Sequence, residues 1–236
     1  MSKRPKTAAA SSSAKSATRK KADDNPPEFL INVLRDRIAN HDLPPGSKLR
    51  ENSISEEFGV SRARVREAFG GLEERGLIER IPNRGAVVTR LEAPQVFELF
   101  AVREVLEGLA VRLATENQPP ESWQDLVDLF DKPLEQAVNE NDLEFYIEAL
   151  ATLRTRMVIG AESQTLESLL DSIYDRTRVL IRRLVILPGR ARQGLKEHRA
   201  MLAAMRAGDA EKAEQLKRAN IRGSRATFDK FQKFIL

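Results

Sequence analysis

Between residues 95 and 232 apolar side chains recur at helical spacing and never alternate as they would along a strand. Glycine and proline are sparse there and gather at breaks: Pro119-Pro120, Asn141-Asp142, Gly160 to Ser163, Pro188-Gly189 and Gly208-Asp209. The pattern predicts helices near 95–116, 122–139, 143–160, 164–187, 190–207 and 209–232, with Pro133 interrupting or kinking the second. Amphipathic helices without strands can bury their apolar stripes only against one another. The expected fold of residues 93–236 is therefore an all-α helical bundle. Leu106, Leu109, Leu153, Met157, Leu169, Leu170, Ile173 and Leu180 fall at core spacing within it.

The front of the chain has a different texture. Residues 1–27 are rich in Ala, Ser, Lys and Thr, lack apolar periodicity and close on Asp23-Asp24-Asn25-Pro26-Pro27. Such a segment has nothing with which to build a core, so a disordered basic arm is expected. It holds seven Lys or Arg against two Asp, whereas residues 91–236 hold twenty-one basic and twenty-three acidic residues. The surplus of cations at the front suits a polyanionic partner, although a charge run by itself is more often a solvated tail. From 28 to 92 the order reads helix, helix, helix, hairpin. Phe29, Leu30, Val33, Leu34 and Ile38 mark the first helix, and Asp42-Leu43-Pro44-Pro45-Gly46 breaks the chain after it. A short helix over Ser53–Phe58 and a turn at Gly59 lead to Ser61, a good N-cap. The helix it starts carries Val65, Ala68, Phe69 and Leu72 on one side. Leu77–Ile81 and Ala86–Arg90 read as strands around a Pro82-Asn83-Arg84-Gly85 turn. The whole is mainly α: a winged helix-turn-helix with a small β-hairpin wing, then a helical bundle.

Composition narrows the function. The chain has no cysteine, which excludes disulfides, thiolate metal sites and a cysteine nucleophile, and suits a reducing cytosol. No apolar run approaches the ~20 residues of a membrane span, and no apolar signal core opens the chain. Neither a nucleophile–base pair nor a phosphate loop is evident, so an enzyme is not expected. Trp123 reads as packing, and Glu162, Glu167, Asp171 and Asp175 as solvated helix face.

The chemistry concentrates at Val60-Ser61-Arg62-Ala63-Arg64-Val65-Arg66-Glu67. A helix N-terminus favours anions, so three arginines within five positions there need another reason. DNA supplies one. In a helix-turn-helix the second helix enters the major groove, and its first residues reach base edges. An arginine can donate two hydrogen bonds to guanine O6 and N7 or clamp a phosphate. Arg62 and Arg66, four apart, share one face; Arg64 lies off it. Arg84-Gly85 at the wing tip puts a cation where a narrow minor groove is most negative.

These segments resemble the GntR family of bacterial repressors. The resemblance rests on Pro45-Gly46-Ser47-Lys48-Leu49-Arg50-Glu51, Phe58-Gly59-Val60-Ser61-Arg62, Val65-Arg66-Glu67-Ala68-Phe69, Leu72-Glu73-Glu74-Arg75-Gly76-Leu77-Ile78 and Arg84-Gly85-Ala86-Val87-Val88. It implies DNA contacts at Ser61, Arg62, Arg66, Arg84 and Gly85. Asn52 stands where many members have an arginine, and Ala63-Arg64 where many have Thr-Pro. Gly70-Gly71 is also unusual inside a helix.

The back half resembles the FCD effector domain of the FadR-like subfamily. Val102 to Ala110 is similar to its opening helix, and Glu197 to Ala213 to its late His-helix and Gly-Asp break. The resemblance implies a homodimer on a pseudo-palindromic double-stranded operator and a small-molecule effector. Many such domains hold a divalent metal through an Asp-x-x-x-His pair and two later histidines. Those positions fall on Leu150, Arg154, His198 and Asn220, so only His198 is retained and no metal or other cofactor is expected. Arg154, with Arg103, His198 and Asn220, is the candidate carboxylate-binding pocket in its place. The expected protein is a bacterial, cytoplasmic, nucleoid-associated regulator. An effector-independent DNA binder with a collapsed pocket, or a helical metabolite-binding or enzymatic domain on a DNA anchor, remain alternatives. An open polar cavity in the bundle favours the first reading, an apolar-filled centre the effector-independent one.

Overall fold

The structure, a computed structural model, describes residues 27–235. The basic arm expected over 1–27 lies outside them except for Pro27, which opens the first helix. The chain divides between Arg90 and Leu91 into two compact units.

The first unit runs α1 (Pro27–Ala39), β1 (Lys48–Leu49), α2 (Glu51–Phe58), α3 (Arg62–Glu74), β2 (Ile78–Ile81) and β3 (Gly85–Val88). Leu30, Leu34 and Ile38 of α1 bury against Val65, Ala68, Phe69 and Leu72 of α3, the faces that helical spacing picks out. Gly71 has a packing reason: a Cβ there would lie 2.7 Å from Ile31 Cδ1, so the Ile31 side chain would have to shift to admit alanine. Gly70 faces open space. The α2–α3 turn passes through Gly59 at φ +66°, a left-handed conformation that closes α2.

The sheet is three-stranded rather than a bare hairpin. β3 lies between β1 and β2, antiparallel to both, with Leu49 opposite Ala86 and Arg80 also opposite Ala86 across the other edge. A two-residue strand after Pro44-Pro45-Gly46 is too short to show a period, which is why the sequence does not announce it. Helix α2 likewise starts at Glu51, two residues before the expected Ser53.

The second unit is all helix: α4 (Ala93–Asn117), a 3₁₀ turn (Pro120–Trp123), α5 (Gln124–Leu129), α6 (Lys132–Glu140), α7 (Leu143–Gly160), α8 (Gln164–Val185), α9 (Arg190–Arg206) and α10 (Ala210–Ile235). The starts are capped as short polar residues predict. Asp142 accepts the Phe145 amide and Ser163 the Leu166 amide, while Glu92 and Gln95 form a capping box on α4. The expected helix over 122–139 is two helices, and Pro133 sits in the first turn of the second, where its missing N–H does no harm. The main core gathers Trp123, Phe130, Leu134, Tyr146, Leu153, Met201 and Met205. In a second cluster Phe97 meets Phe228 edge-on and Phe100 meets it tilted, with centroids 5.3 and 6.0 Å apart. Leu153, Met157, Leu170 and Leu180 are buried as expected, whereas Leu109 and Leu169 are 38% and 49% exposed. Among the described residues no helix is long and apolar enough to cross a membrane.

Candidate nucleic-acid interface and interior cavity

Ser61 holds an extended backbone and its Oγ accepts the Arg64 N–H at 3.3 Å, which fixes where α3 begins. Arg62 and Arg66 then project from one face, 57% and 54% exposed. Both turn toward one carboxylate on α2. Glu51 Oε2 accepts from Arg66 Nε at 2.9 Å and from Arg62 Nη2 at 3.4 Å. Engagement through Nε leaves the two terminal nitrogens of Arg66 available for another acceptor.

The wing reaches the same place. The Arg84 amide bonds the Ile81 carbonyl at 3.0 Å, with Pro82 next and Asn83 at φ +64°, the pattern of a type II turn. Gly85 follows at φ +79°. A groove between the wing and the start of α3 is lined by Asn52, Arg62, Arg66, Arg84 and Gly85, together with Lys48, Arg50 and Arg80. Six cations thus share it with one carboxylate, Glu51. Ser61 and Arg64 are outside its lining: Ser61 caps the helix, and Arg64 pairs with Glu67 at 3.2 Å. Lys48, Arg50 and Glu51 lie in the Pro45–Glu51 segment of the resemblance, but nothing in the sequence marks them as groove residues; the fold brings them there.

In the helical unit a cavity of about 80 Å³ brings together all four candidate effector residues, Arg103, Arg154, His198 and Asn220, with Leu150 beside them. Residues not picked out by sequence complete it, chiefly Glu107, Tyr146, Arg190 and Lys217. Glu107 is the hub. Its carboxylate takes Arg103 Nε at 2.7 Å, one turn back on α4, and Lys217 Nζ at 2.8 Å from α10. Burial alone would raise this carboxyl, but the two cations outweigh it and hold it at about 2. His198 is driven the other way. Burial, then Lys217 and Arg190, lower it from 6.5 to about 3, so the imidazole is neutral at any physiological pH. The Tyr146 hydroxyl lies 3.4 Å from His198 Nδ1, and burial pushes that phenol up. Gly194 makes room for it, since a Cβ there would stand 2.7 Å from the Tyr146 oxygen. Arg190 pairs with Glu197 at 3.0 Å, and Asn220 Nδ2 donates to the same carboxylate at 2.6 Å. Arg154 sits at the rim, stacked 3.6 Å over the Tyr174 ring and paired with the half-exposed Asp171 at 3.0 Å.

Two family models match this chain in tandem: the bacterial regulatory proteins of the gntR family over residues 28–88 and the FCD domain over residues 98–223. The chain belongs to the GntR family. It is a GntR-type transcriptional regulator with a DNA-binding domain and an FCD domain. The "Uncharacterized HTH-type transcriptional regulator YdhC" of Bacillus subtilis (strain 168) is 29% identical over 203 residues, 83% of this chain and 88% of that protein. A protein of Paenarthrobacter nicotinovorans described as "probable D-xylose utilization operon transcriptional repressor" is 29% identical over 178 residues, 75% of this chain and 77% of its own length. The solved structure titled "E. coli McbR/YncC" shares the fold at a TM-score of 0.73 and 24% identity, covering 87% of this chain and 98% of that one. The family and these relatives are regulators, not enzymes.

The metal that many FCD domains hold does not fit this GntR chain. The four positions do converge on one cavity, but Leu150 has no donor atom and Arg154 brings a cation. Asn220 spends its amide on Glu197, and the nearest carboxylate, Glu107, is already shared by Arg103 and Lys217. A neutral imidazole beside three guanidinium groups and an ammonium is a poor divalent site.

Proposed function

We propose that this GntR regulator binds a pseudo-palindromic operator as a homodimer, represses transcription there, and changes its operator affinity when a small organic acid enters the FCD cavity. The cationic groove carries the reading: Arg62 and Arg66 stand exposed beside Asn52 on one side, with Arg84 and Gly85 on the other. Arg62 and Arg66 read base edges in the major groove, Ser61 sets the helix start that aims them, and Arg84 follows the minor groove on the wing. Asn52 and Arg64 take flanking contacts. The name of the Paenarthrobacter relative supports repression as the mode.

Dimerisation has its own support in the helical unit. Val102, Val105 and Leu109 lie within one stripe of α4 and are 47%, 50% and 38% exposed. An apolar stripe of this kind suits burial against a second copy, and a two-fold dimer matches a palindrome. A cavity that remains at Arg103, Arg154, His198 and Asn220, with polar groups on one side and hydrocarbon on the other, favours an effector-responsive regulator over one with a collapsed pocket. Coupling then requires the acid to prefer one arrangement of the dimer. The decisive experiment is selection of bound sequences from a random DNA pool. The expected product is a short inverted repeat protected in footprinting, with light scattering reporting two chains per site. Recovery of unrelated sequences, or a monomer on a single half-site, would refute the reading.

A further inference from the structure

The walls of the FCD cavity differ in chemistry. Helices α4, α9 and α10 supply Arg103, Glu107, Arg190, His198, Lys217 and Asn220. Helices α7 and α8 supply mainly hydrocarbon, Leu150, Leu153 and Met157 from one and Ile181, Leu184 and Val185 from the other, with Tyr146, Arg154 and Tyr174 as their polar members. Charges on the polar wall do not balance. Three cations, the buried Arg103 and Lys217 and the partly buried Arg190, face two carboxylates, Glu107 and Glu197, which leaves one positive charge. The rim pair of Arg154 and Asp171 is neutral and does not change that excess. Lys217 is only 5% exposed, and Glu107 takes one of its three N–H donors. A buried ammonium with donors to spare, in a cavity one negative charge short, is stabilised by an anion.

We infer that this cavity takes a small monocarboxylate with a short hydrocarbon tail, bound directly without a metal, and that Lys217 is the residue that reads its charge. This deepens the effector reading above and rests on the same cavity. The carboxylate meets Lys217 among the polar side chains, and the tail lies along Leu150, Leu153 and Met157. The volume of about 80 Å³ suits a ligand of few heavy atoms, well below the roughly 300 Å³ of sites for drug-sized molecules. A single surplus charge disfavours dicarboxylates, because the one cation on the α7 wall, Arg154, is already paired with Asp171 and a second carboxylate would have to displace that partner. Leu150 and Arg154, which stand where the family's metal ligands would, become intelligible as part of a site that does without the ion.

The test is calorimetry on the full chain in EDTA, without DNA. Acetate, propionate and butyrate should bind with affinity rising about fourfold per methylene until the cavity is full. Succinate, with butyrate's carbon count, should bind at least tenfold more weakly. Lys217→Met should weaken butyrate at least tenfold, since Glu107 keeps Arg103 as a partner, while Lys212→Met on the exposed side of α10 should change nothing. If Lys217→Met does not fold, the chain-length series on the wild type decides. Tighter succinate than butyrate, binding only after a divalent ion is added, inorganic phosphate in place of the carboxylates, or unchanged affinity in Lys217→Met would overturn the inference. Operator affinity with and without butyrate is a separate measurement. Butyrate that binds but leaves DNA affinity unchanged sinks the effector role and leaves the site standing.

Discussion

Acidification from pH 7 to pH 5 should weaken the helical unit by about 2 kcal/mol through His198 alone. The folded protein holds this imidazole at about 3, against 6.5 for an ordinary histidine. Between those values the unfolded chain binds a proton and the folded one does not. Stability is therefore intact above pH 6.5 and falls by about 1.4 kcal/mol per pH unit until about pH 3. Glu107 titrates in a different window. Its carboxyl, lowered from 4.5 to about 2, contributes stability above 4.5 that is lost only as pH falls toward 2. The interval from pH 7 to pH 5 thus isolates the histidine. His198→Gln keeps a polar side chain and removes the titration. The assay is urea unfolding followed by the fluorescence of Trp123, the chain's one tryptophan, 1% exposed in the core of the helical unit. Wild type should lose about 2 kcal/mol more than the variant between the two pH values. Equal losses would show that His198 is not held neutral by burial beside Lys217 and Arg190.

Other outcomes follow from single contacts. Replacing Glu51 by Gln removes the carboxylate that steadies Arg62 and Arg66, so binding to non-specific DNA should tighten and the ratio of operator to non-specific affinity should fall at fixed salt. An unchanged ratio would refute that role. Gly70→Ala should stabilise the DNA-binding unit by roughly 1 kcal/mol, because its Cβ enters open space, whereas Gly71→Ala should not, because its Cβ presses on Ile31. Thermal unfolding of both variants distinguishes them. Glu107→Ala leaves Arg103 and Lys217 buried without their carboxylate and should cost about 3–5 kcal/mol, measured by urea unfolding. Deleting residues 1–22 should weaken binding to every DNA sequence alike and flatten the salt dependence, since only phosphate contacts would be lost.

Local order in the chain is what its sequence displays best. Ser61 caps α3, Val65 to Leu72 bury on one face, and Pro-Asn-Arg-Gly turns the wing, because each depends on neighbours within a few residues. Features that depend on distant partners were hidden. Strand β1 exists only through its pairing with β3. Glu51 looks like any surface glutamate until α2 brings it under Arg66, fifteen residues away. Lys217 shows only as one more cation on an amphipathic helix, and its burial comes from packing α10 on α4. Leu109 and Leu169 satisfy helical spacing yet face outward, since periodicity identifies an apolar stripe but not what covers it. Arg154 lines the cavity that the FCD resemblance implies, but Tyr174 and Asp171 hold it at the rim.

The central claim is that the face of α3 carrying Arg62 and Arg66 reads DNA. Its most direct test is the affinity of Arg66→Ala for the selected operator, measured by anisotropy beside the wild type at the same salt. Loss of a bidentate base contact predicts binding weaker by about 10- to 100-fold, with the preference at one base position relaxed and the helical content and thermal unfolding by circular dichroism unchanged. A variant that keeps wild-type affinity and the same footprint would contradict the account.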